Sequence, residues 1–227
     1  DDLSVLTQWD TPTICNALEE ILPERRGHGF TTQHLFALDP SLPPVCGFAR
    51  TATIRAAEPP RDTAAEMAAK RNAYYEYVAA GPKPAIAVIQ DFDPVPGIGA
   101  FWGEVQTTVH KGLGVVGAVT NGSFRDVPDS ARGFHLIGGK VGPSHAHVHL
   151  VDIDCLVTVH GLTVSTNDIV HMDQHGAVMI PPEAVKEIPA VVDLIARREH
   201  MIITAAQADD FTIDKLKTAI GQTADIH

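Results

Sequence analysis

The residue types that catalysis uses most often are densest between Gly97 and Asp126. Arg125 and Asp126 stand side by side there, a few residues after the apolar segment VVGAVT at 115–120, which is typical of a buried strand. An adjacent arginine and aspartate can bind a substrate carboxylate through the guanidinium and a divalent cation through the carboxylate. The spacing alone, however, favours an ordinary surface ion pair after a turn.

The sequence GAFWGEV at 99–105 is a second candidate for ligand binding. It follows the apolar segment AIAVIQ at 85–90 and leads into a segment with helical character at 103–112. Backbone amides at the start of such a helix bind anions, and open α/β sheets bind ligands in the loops at the ends of parallel strands. Lys111 is the only lysine in this stretch, which gives a Schiff-base mechanism little support.

Three histidines, His145, His147 and His149, alternate along a segment that is predicted to be a strand at 146–158. One face of a strand would present all three, which suggests a zinc site. Successive side chains on one face of a strand are ~7 Å apart, which is long for ligands of a single tetrahedral ion. A buried polar network or a trimer interface is therefore the favoured role.

Two further pairs of residues have interpretations that the sequence leaves open. His171 and His175 can line a pocket, although a structural role is more common. Phe101 and Trp102 flank the loop at 99–105, and either wall a substrate site or pack in the core.

The elements that must position these residues alternate between helix and strand. Apolar periodicity, caps and breakers predict helices at 10–22, 62–80, 103–112, 182–204 and 209–220. Short apolar or alternating segments predict strands at 45–56, 85–90, 115–120, 134–137, 146–158, 162–165 and 175–181. The stretch 23–44 is predicted to be irregular. We therefore expect one α/β domain with a mixed sheet over 1–227, with a helical C-terminal tail at 206–227 whose apolar positions contact a neighbouring subunit.

Composition excludes several classes of protein. The 227 residues are 44% hydrophobic and 20% charged, which is ordinary for a globular protein. The formal charge of −11 argues against a nucleic-acid partner, which normally requires a basic face. No apolar run approaches the ~20 residues of a membrane helix, and the first ten residues lack the layout of a signal peptide. Three scattered cysteines indicate buried thiols in a reducing cytoplasm.

The motifs resemble those of the RraA-like family. GEVQ at 103–106, followed by G-x-x-G-x-V-x-N-G-x-x-R-D up to Asp126, is similar to the signature of that family. DTPTICNAL at 10–18, GFARTATI at 47–54, PSHAHVHLVD at 143–152 and the D-x-V-H-x-D-x-HG-x-V-x-IP run at 168–181 extend the resemblance over roughly residues 10–205. The family contains the regulator of ribonuclease E activity A and the class II pyruvate aldolases. The resemblance implies a swivelling β/β/α fold, a homotrimer or dimer of trimers, and Mg²⁺ or Mn²⁺ as cofactor.

The resemblance also implies roles for particular residues. Arg125 would bind the keto or enolate oxygen of a pyruvyl group, and Asp126 would ligate the metal. Glu104 would reach that metal through water, or position a water that carries protons. The carboxylate of the pyruvyl group would be held by the backbone amides of Gly103, Glu104, Val105 and Gln106.

Two positions depart from the aldolase pattern. The acidic residue that twenty intervening residues separate from Arg125 is often Asp in the aldolases but is Glu104 here, and Asn121 replaces a common Asp. We expect a metal-dependent lyase that cleaves or decarboxylates a pyruvate-derived oxo acid. The alternative is a non-catalytic regulatory binding protein. Retention of Glu104, Arg125 and Asp126 favours the enzyme, and the sequence leaves open which acid is its substrate.

Overall fold

A computed structural model describes residues 3–223 of the chain. The helices are α1 (Thr11–Ile21), α2 (Ala64–Ala80), α3 (Glu104–Gly112), α4 (Ile188–Gln207) and α5 (Ile213–Thr223), with 3-10 turns at Leu3–Gln8 and Pro23–Arg25. The strands are β1 (Phe36–Ala37), β2 (Val45–Arg55), β3 (Ala85–Asp91), β4 (Ala100–Trp102), β5 (Val115–Phe124), β6 (His135–Val141), β7 (His149–Ile153), β8 (Val157–Val159), β9 (Leu162–Val164), β10 (Ile169–Asp173) and β11 (Gly176–Ile180).

The main sheet is mixed, in the order β1-β6-β5-β3-β2-β10-β11, with β4 paired to β5 and β7 paired to β2. The central strands β2, β3, β5 and β6 are parallel, so their carboxyl ends lie at one edge. Helix α3 begins directly after β4, which is parallel to β5 at this same edge. The topology therefore brings the end of β5 and the start of α3 together.

Strand β3 shows why the centre of the sheet is buried on both faces. Its residues Ala85, Ala87 and Ile89 pack with α2 and with aromatic side chains on one face. The alternate residues Ile86 and Val88 face a second cluster that includes the β8–β9 hairpin and strands β10 and β11. The continuous apolar run at 85–89 follows from this burial on both sides.

A third layer joins the N-terminal residues to the C-terminal half of the chain. Helix α1 packs with α4 and with β11 around a core that includes Ile14, Leu18 and Ile188. Asp10 caps α1 by accepting a hydrogen bond from the Thr13 amide at 2.9 Å. Buried His171 of β10 bonds the Thr11 hydroxyl at 3.0 Å and the Leu6 carbonyl at 3.1 Å, so this histidine has a structural role.

The α/β class and the mixed sheet predicted from the sequence are confirmed. Strand β5 extends four residues beyond 120, and β1, β4 and β10 lie in segments that were not predicted to be strands. The predicted helix at 182 begins only at Ile188, after turns at 182–187. The predicted C-terminal helix is α5, and residues 224–227 of the expected tail lie outside the described residues.

The cysteines and helices test two further expectations. All three cysteines are free thiols, but only Cys46 is fully buried, while Cys15 and Cys155 are half-buried. The cytoplasmic location inferred from them stays a prediction. None of the helices between residues 3 and 223 is long and apolar enough to cross a membrane.

Deleting side-chain volume at the centre of the sheet should destabilise the protein strongly. Ile86 is fully buried, so we expect Ile86→Ala to lower the free energy of unfolding by about 2–5 kcal/mol. Leu156→Ala removes a side chain that is 65% exposed, and should change it by less than about 0.5 kcal/mol. Guanidinium denaturation of both variants measures the difference. Equal effects would contradict the placement of Ile86 between two packed layers.

Candidate active site

The adjacent residues Arg125 and Asp126 lie immediately after β5, where the sheet ends. The Arg125 amide donates to the Trp102 carbonyl at 3.0 Å, which joins the end of β5 to the end of β4. Asp126 has a positive φ of 55°, a conformation that few residues other than Gly, Asn and Asp adopt. Its carbonyl accepts hydrogen bonds from the Ser130 amide and hydroxyl, both at 2.9 Å, which fixes the turn.

The side chains of this pair are in contact and remain accessible. Arg125 Nε lies 3.6 Å from Asp126 Oδ2, and the two side chains are 36% and 37% exposed. The surface ion pair considered from the sequence is therefore present, but such a pair contributes ~1 kcal/mol at most. The pair also lines an open cleft of about 370 Å³, whose other walls are Val127, Val141, Gly142 and Pro143.

Gly103 places the first turn of α3 against the Asp126 carboxylate. A Cβ atom on Gly103 would lie 2.5 Å from Asp126 Oδ2, so a side chain at this position would displace the carboxylate from its present place. The Glu104 amide donates to the same Oδ2 at 3.3 Å. The first bond within this turn runs from the Thr107 amide to the Gly103 carbonyl at 3.0 Å. The amides of Val105 and Gln106 therefore have no intrahelical acceptor and can bind an anion.

Helix α3 is held in place by a buried histidine that sequence reasoning missed. His110 Nδ1 lies 2.7 Å from the Gln106 carbonyl, and its Nε2 lies 2.7 Å from the Tyr74 hydroxyl of α2. A carbonyl can only accept, so Nδ1 carries the proton and Nε2 accepts from Tyr74. The Tyr75 hydroxyl donates to Gln106 Oε1 at 3.1 Å. Two consecutive tyrosines in an Ala-rich helix were the only sequence signal for this contact.

Burial controls the protonation of His110. The side chain is fully buried, and removal from water lowers the pKa of His110 to about 4, with a smaller contribution from the charge of Lys83. The imidazole is therefore neutral at neutral pH, which leaves Nε2 able to accept from the Tyr74 hydroxyl. Burial also lowers the pKa of His171 below its usual range.

The donor groups at the site suit a hard cation with few protein ligands. Asp126 presents one carboxylate, and exposed Glu104 presents a second from the adjacent turn of helix. Among residues 3–223, no three His, Cys, Asp or Glu side chains are grouped closely enough to hold a metal ion. Mg²⁺ commonly binds through one or two carboxylates and keeps several waters, so this donor set fits Mg²⁺ or Mn²⁺ better than Zn²⁺.

The interpretation of His145, His147 and His149 as one face of a strand is wrong. Only His149 belongs to β7, and a turn with Ala146 at a φ of 45° contains the other two. The side chains of His145 and His149 bond the Ala146 and His147 carbonyls at 2.8 and 2.7 Å, which is a local structural role.

Asn121 and the two aromatic residues are also placed by the structure. The Asn121 side chain accepts from the Asp91 amide at 2.7 Å and donates to the Asp91 carbonyl at 2.9 Å, so it joins the ends of β3 and β5. Trp102 is fully buried and packs in the core, whereas Phe101 is half-buried and lines a separate cavity.

The structure is that of an α/β protein in which the start of a helix lies beside an Arg-Asp pair at the edge of the sheet. The RraA-like family model, described as Aldolase/RraA, matches residues 11–179. The chain therefore belongs to the RraA-like family, which includes aldolase-type enzymes and inhibitors of RNA processing.

Two solved structures share the fold, and one curated protein is similar in sequence over part of its length. A structure of an uncharacterised protein from Pseudomonas syringae pv. tomato has a TM-score of 0.69 at 18% identity, over 92% of this chain and 89% of that one. Streptomyces coelicolor RraAS2, described as an unusual member of the RNase ES inhibitor RraA family, has a TM-score of 0.67 at 22% identity, over 91% and 96%. Protein DlpA of Legionella pneumophila is 25% identical over 137 residues, which is 57% of this chain but only 21% of DlpA.

The lowered pKa of His110 predicts a loss of stability in mild acid. Between pH 6.5 and about 4 the unfolded chain binds a proton that the native chain does not, so stability falls as the pH falls. The full contribution of this shift in the pKa of His110 to the pH dependence of the free energy of unfolding is on the order of 3 kcal/mol. At pH 7.5 we expect His110→Asn to melt at a lower temperature than the unmodified protein. Between pH 6.5 and about 4, its melting temperature should depend less steeply on pH than that of the unmodified protein.

His147→Asn is the matched control, because His147 is exposed and its side chain makes no hydrogen bond to the described residues. Its melting temperature should follow the pH dependence of the unmodified protein. If the melting temperature of His110→Asn fell with pH as steeply as that of this control, a group other than His110 would cause the loss of stability in acid.

Proposed function

We propose that this chain is a divalent-metal-dependent lyase that cleaves or decarboxylates a pyruvate-derived oxo acid. The observation that carries the proposal is the contact between the start of α3 and Asp126, with the Arg125 guanidinium beside them. This arrangement supplies amide donors, a guanidinium and a carboxylate ligand for a metal ion at one accessible edge of the sheet. The substrate class comes from the aldolase members of the family.

The chemistry requires stabilisation of negative charge on the substrate. Breaking the carbon–carbon bond of a 4-hydroxy-2-oxo acid, or the bond to the carboxylate of oxaloacetate, leaves the bonding electron pair on an enolate of pyruvate. A divalent ion, when bound, supplies Lewis acidity toward the keto and carboxylate oxygens of the substrate. Asp126 and Glu104 would hold it, Asp126 directly and Glu104 through water.

The residues of the chain would perform the remaining tasks. The amides of Val105 and Gln106 would bind the carboxylate of the pyruvyl group, and Arg125 would donate to the oxygen on which charge develops. In the aldol reaction, the proton of the 4-hydroxyl group must leave as the bond breaks. Glu104 would move it through a water, and the enolate would regain a proton to give pyruvate.

We also propose that the site lies between subunits of a homotrimer or a dimer of trimers. Val127 and Val141 line the Arg125–Asp126 cleft and are 45% and 50% exposed, and Val105 in the first turn of α3 is 68% exposed. A second copy of the chain would cover these side chains and deepen a cleft that is open in one copy. Trimers are common in this family.

The regulatory alternative is supported by the similarity to RraAS2 and is separated from the enzyme by activity. Pyruvate release from a panel of 4-hydroxy-2-oxo acids and from oxaloacetate can be followed with lactate dehydrogenase and NADH. We expect release with Mg²⁺ or Mn²⁺ and little in EDTA. Absence of release from every acid by a correctly folded protein would favour the binding protein.

Asp126→Asn should abolish this activity, and excess Mn²⁺ should not restore it, because the ligand is missing. Asparagine tolerates the positive φ at this position and can still accept from the Glu104 amide, so the fold should persist. Glu58→Gln changes an exposed carboxylate outside the site and should retain full activity. If Asp126→Asn kept its rate in EDTA, Asp126 would not be a metal ligand.

Arg125→Lys should lose turnover more than affinity. The guanidinium offers two parallel donors and the ammonium only a point charge, so kcat should fall on the order of 100-fold while KM changes little. Arg125→Ala should lose both, yet change the free energy of unfolding by no more than ~1 kcal/mol, because its ion pair is accessible to water. Arg61→Lys, at an exposed position, is the control.

Steady-state kinetics and thermal melts of these variants distinguish the two interpretations of the pair. Near-normal turnover in Arg125→Lys would show that the two parallel donors of the guanidinium are unimportant. Unfolding of Arg125→Ala would instead support a structural ion pair.

A further inference from the structure

A second cavity, separate from the Arg125–Asp126 cleft, lies between α2, the first turn of α3 and β7. Its volume is about 420 Å³, which is in the range of small-molecule sites. No residue of 121–127 lines it. Gln106 lines it and is the only member of the expected carboxylate-binding turn that does so.

The walls of this cavity are largely apolar and aromatic. Tyr74, Tyr75 and Phe101 form one side, and Met67, Val148 and Leu150 contribute further apolar surface. The hydroxyls of both tyrosines are already bonded, Tyr74 to His110 and Tyr75 to Gln106. The rings therefore offer apolar surface rather than free polar groups, which suits the body of an apolar or aromatic ligand.

The polar groups of the cavity favour an anion. Lys70, Arg71 and His149 line it, and no aspartate or glutamate does, although the chain carries a formal charge of −11. Lys70 is already paired with Asp62 at 2.8 Å. Arg71 has no ion-pair partner among the described residues. One unpaired guanidinium matches a ligand with one negative charge.

Gln106 supplies a neutral donor at the same cavity. Its Oε1 accepts from the Tyr75 hydroxyl at 3.1 Å, which identifies the other terminal atom, Nε2, as the donor end of the amide. Nε2 has no acceptor among the described residues. A carboxylate has two oxygens and can accept from an amide and a guanidinium together.

We propose that this cavity binds a monoanionic carboxylate with an apolar or aromatic body, through Arg71 and Gln106. The site is independent of the lyase activity proposed above. Because Gln106 also belongs to the first turn of α3, a ligand in this cavity would contact the helix whose start packs against Asp126.

The test is calorimetric titration of the full chain with phenylacetate, and with three related probes. Phenylacetamide has the same body without the charge, phenyl phosphate carries a second charge, and inorganic phosphate lacks the body. We expect saturable binding of phenylacetate that is tightest among the four. Tighter binding of phenyl phosphate, or equal binding of phenylacetamide, would overturn the proposal.

Two variants with matched controls locate the site. Arg71→Gln should weaken phenylacetate binding about tenfold or more, as expected for a charged hydrogen bond, whereas Lys217→Gln on α5 should not. Ala68→Phe should fill the cavity and abolish binding, whereas Ala79→Phe, on an exposed position of the same helix, should not. Thermal melts check that each variant is folded.

Arg125→Ala separates this cavity from the proposed active site. Phenylacetate binding should be unchanged in Arg125→Ala if the ligand occupies the cavity. Loss of binding in Arg125→Ala together with normal binding in Arg71→Gln would place the anion at the Arg125–Asp126 cleft and overturn the proposal.

Discussion

The candidate site depends on the close packing of Gly103 against the Asp126 carboxylate. A Cβ atom at position 103 would meet Asp126 Oδ2 at 2.5 Å, so only glycine lets the first turn of α3 lie against the Asp126 carboxylate in its present position. The φ of Gly103 is −170°, which any residue adopts, and the requirement is therefore one of space. The Glu104 amide donates to the Asp126 carboxylate at 3.3 Å across this space.

The position of α3 is set by contacts on its opposite side. Neutral His110 joins the Gln106 carbonyl to Tyr74 of α2, and the same helix α2 packs on the sheet through Tyr74 and Val78. A protonated His110 could not accept from Tyr74 and would carry a charge among aromatic rings. The two hydrogen bonds of the neutral imidazole therefore hold α3 in the orientation that its amides have at the site. Stability and site geometry depend on the same hydrogen bonds.

Local patterns in the sequence predicted most of the fold, and contacts between distant segments account for the rest. The apolar run at 85–90 and the capped segment at 62–80 formed β3 and α2 nearly as expected. The 3.6-residue and two-residue periods cannot show that His110 lies beneath Tyr74, because the two are 36 residues apart. Nor could alternation reveal that Ala146 has a positive φ, which breaks the expected strand. The grouping of Glu104, Arg125 and Asp126 was inferred from resemblance, and the parallel pairing of β4 with β5 is its physical basis.

The charge of the whole chain restricts how either cavity can bind an anion. At a formal charge of −11 the long-range field repels anionic ligands, but physiological salt screens charges beyond ~8 Å. Affinity for the proposed ligands would therefore arise within that distance, from Arg125 and the α3 amides at one cleft and from Arg71 and Gln106 at the other. Because each set contains one guanidinium and fixed N–H donors, geometry rather than net charge selects the ligand. A diffuse basic surface would bind anions without that discrimination.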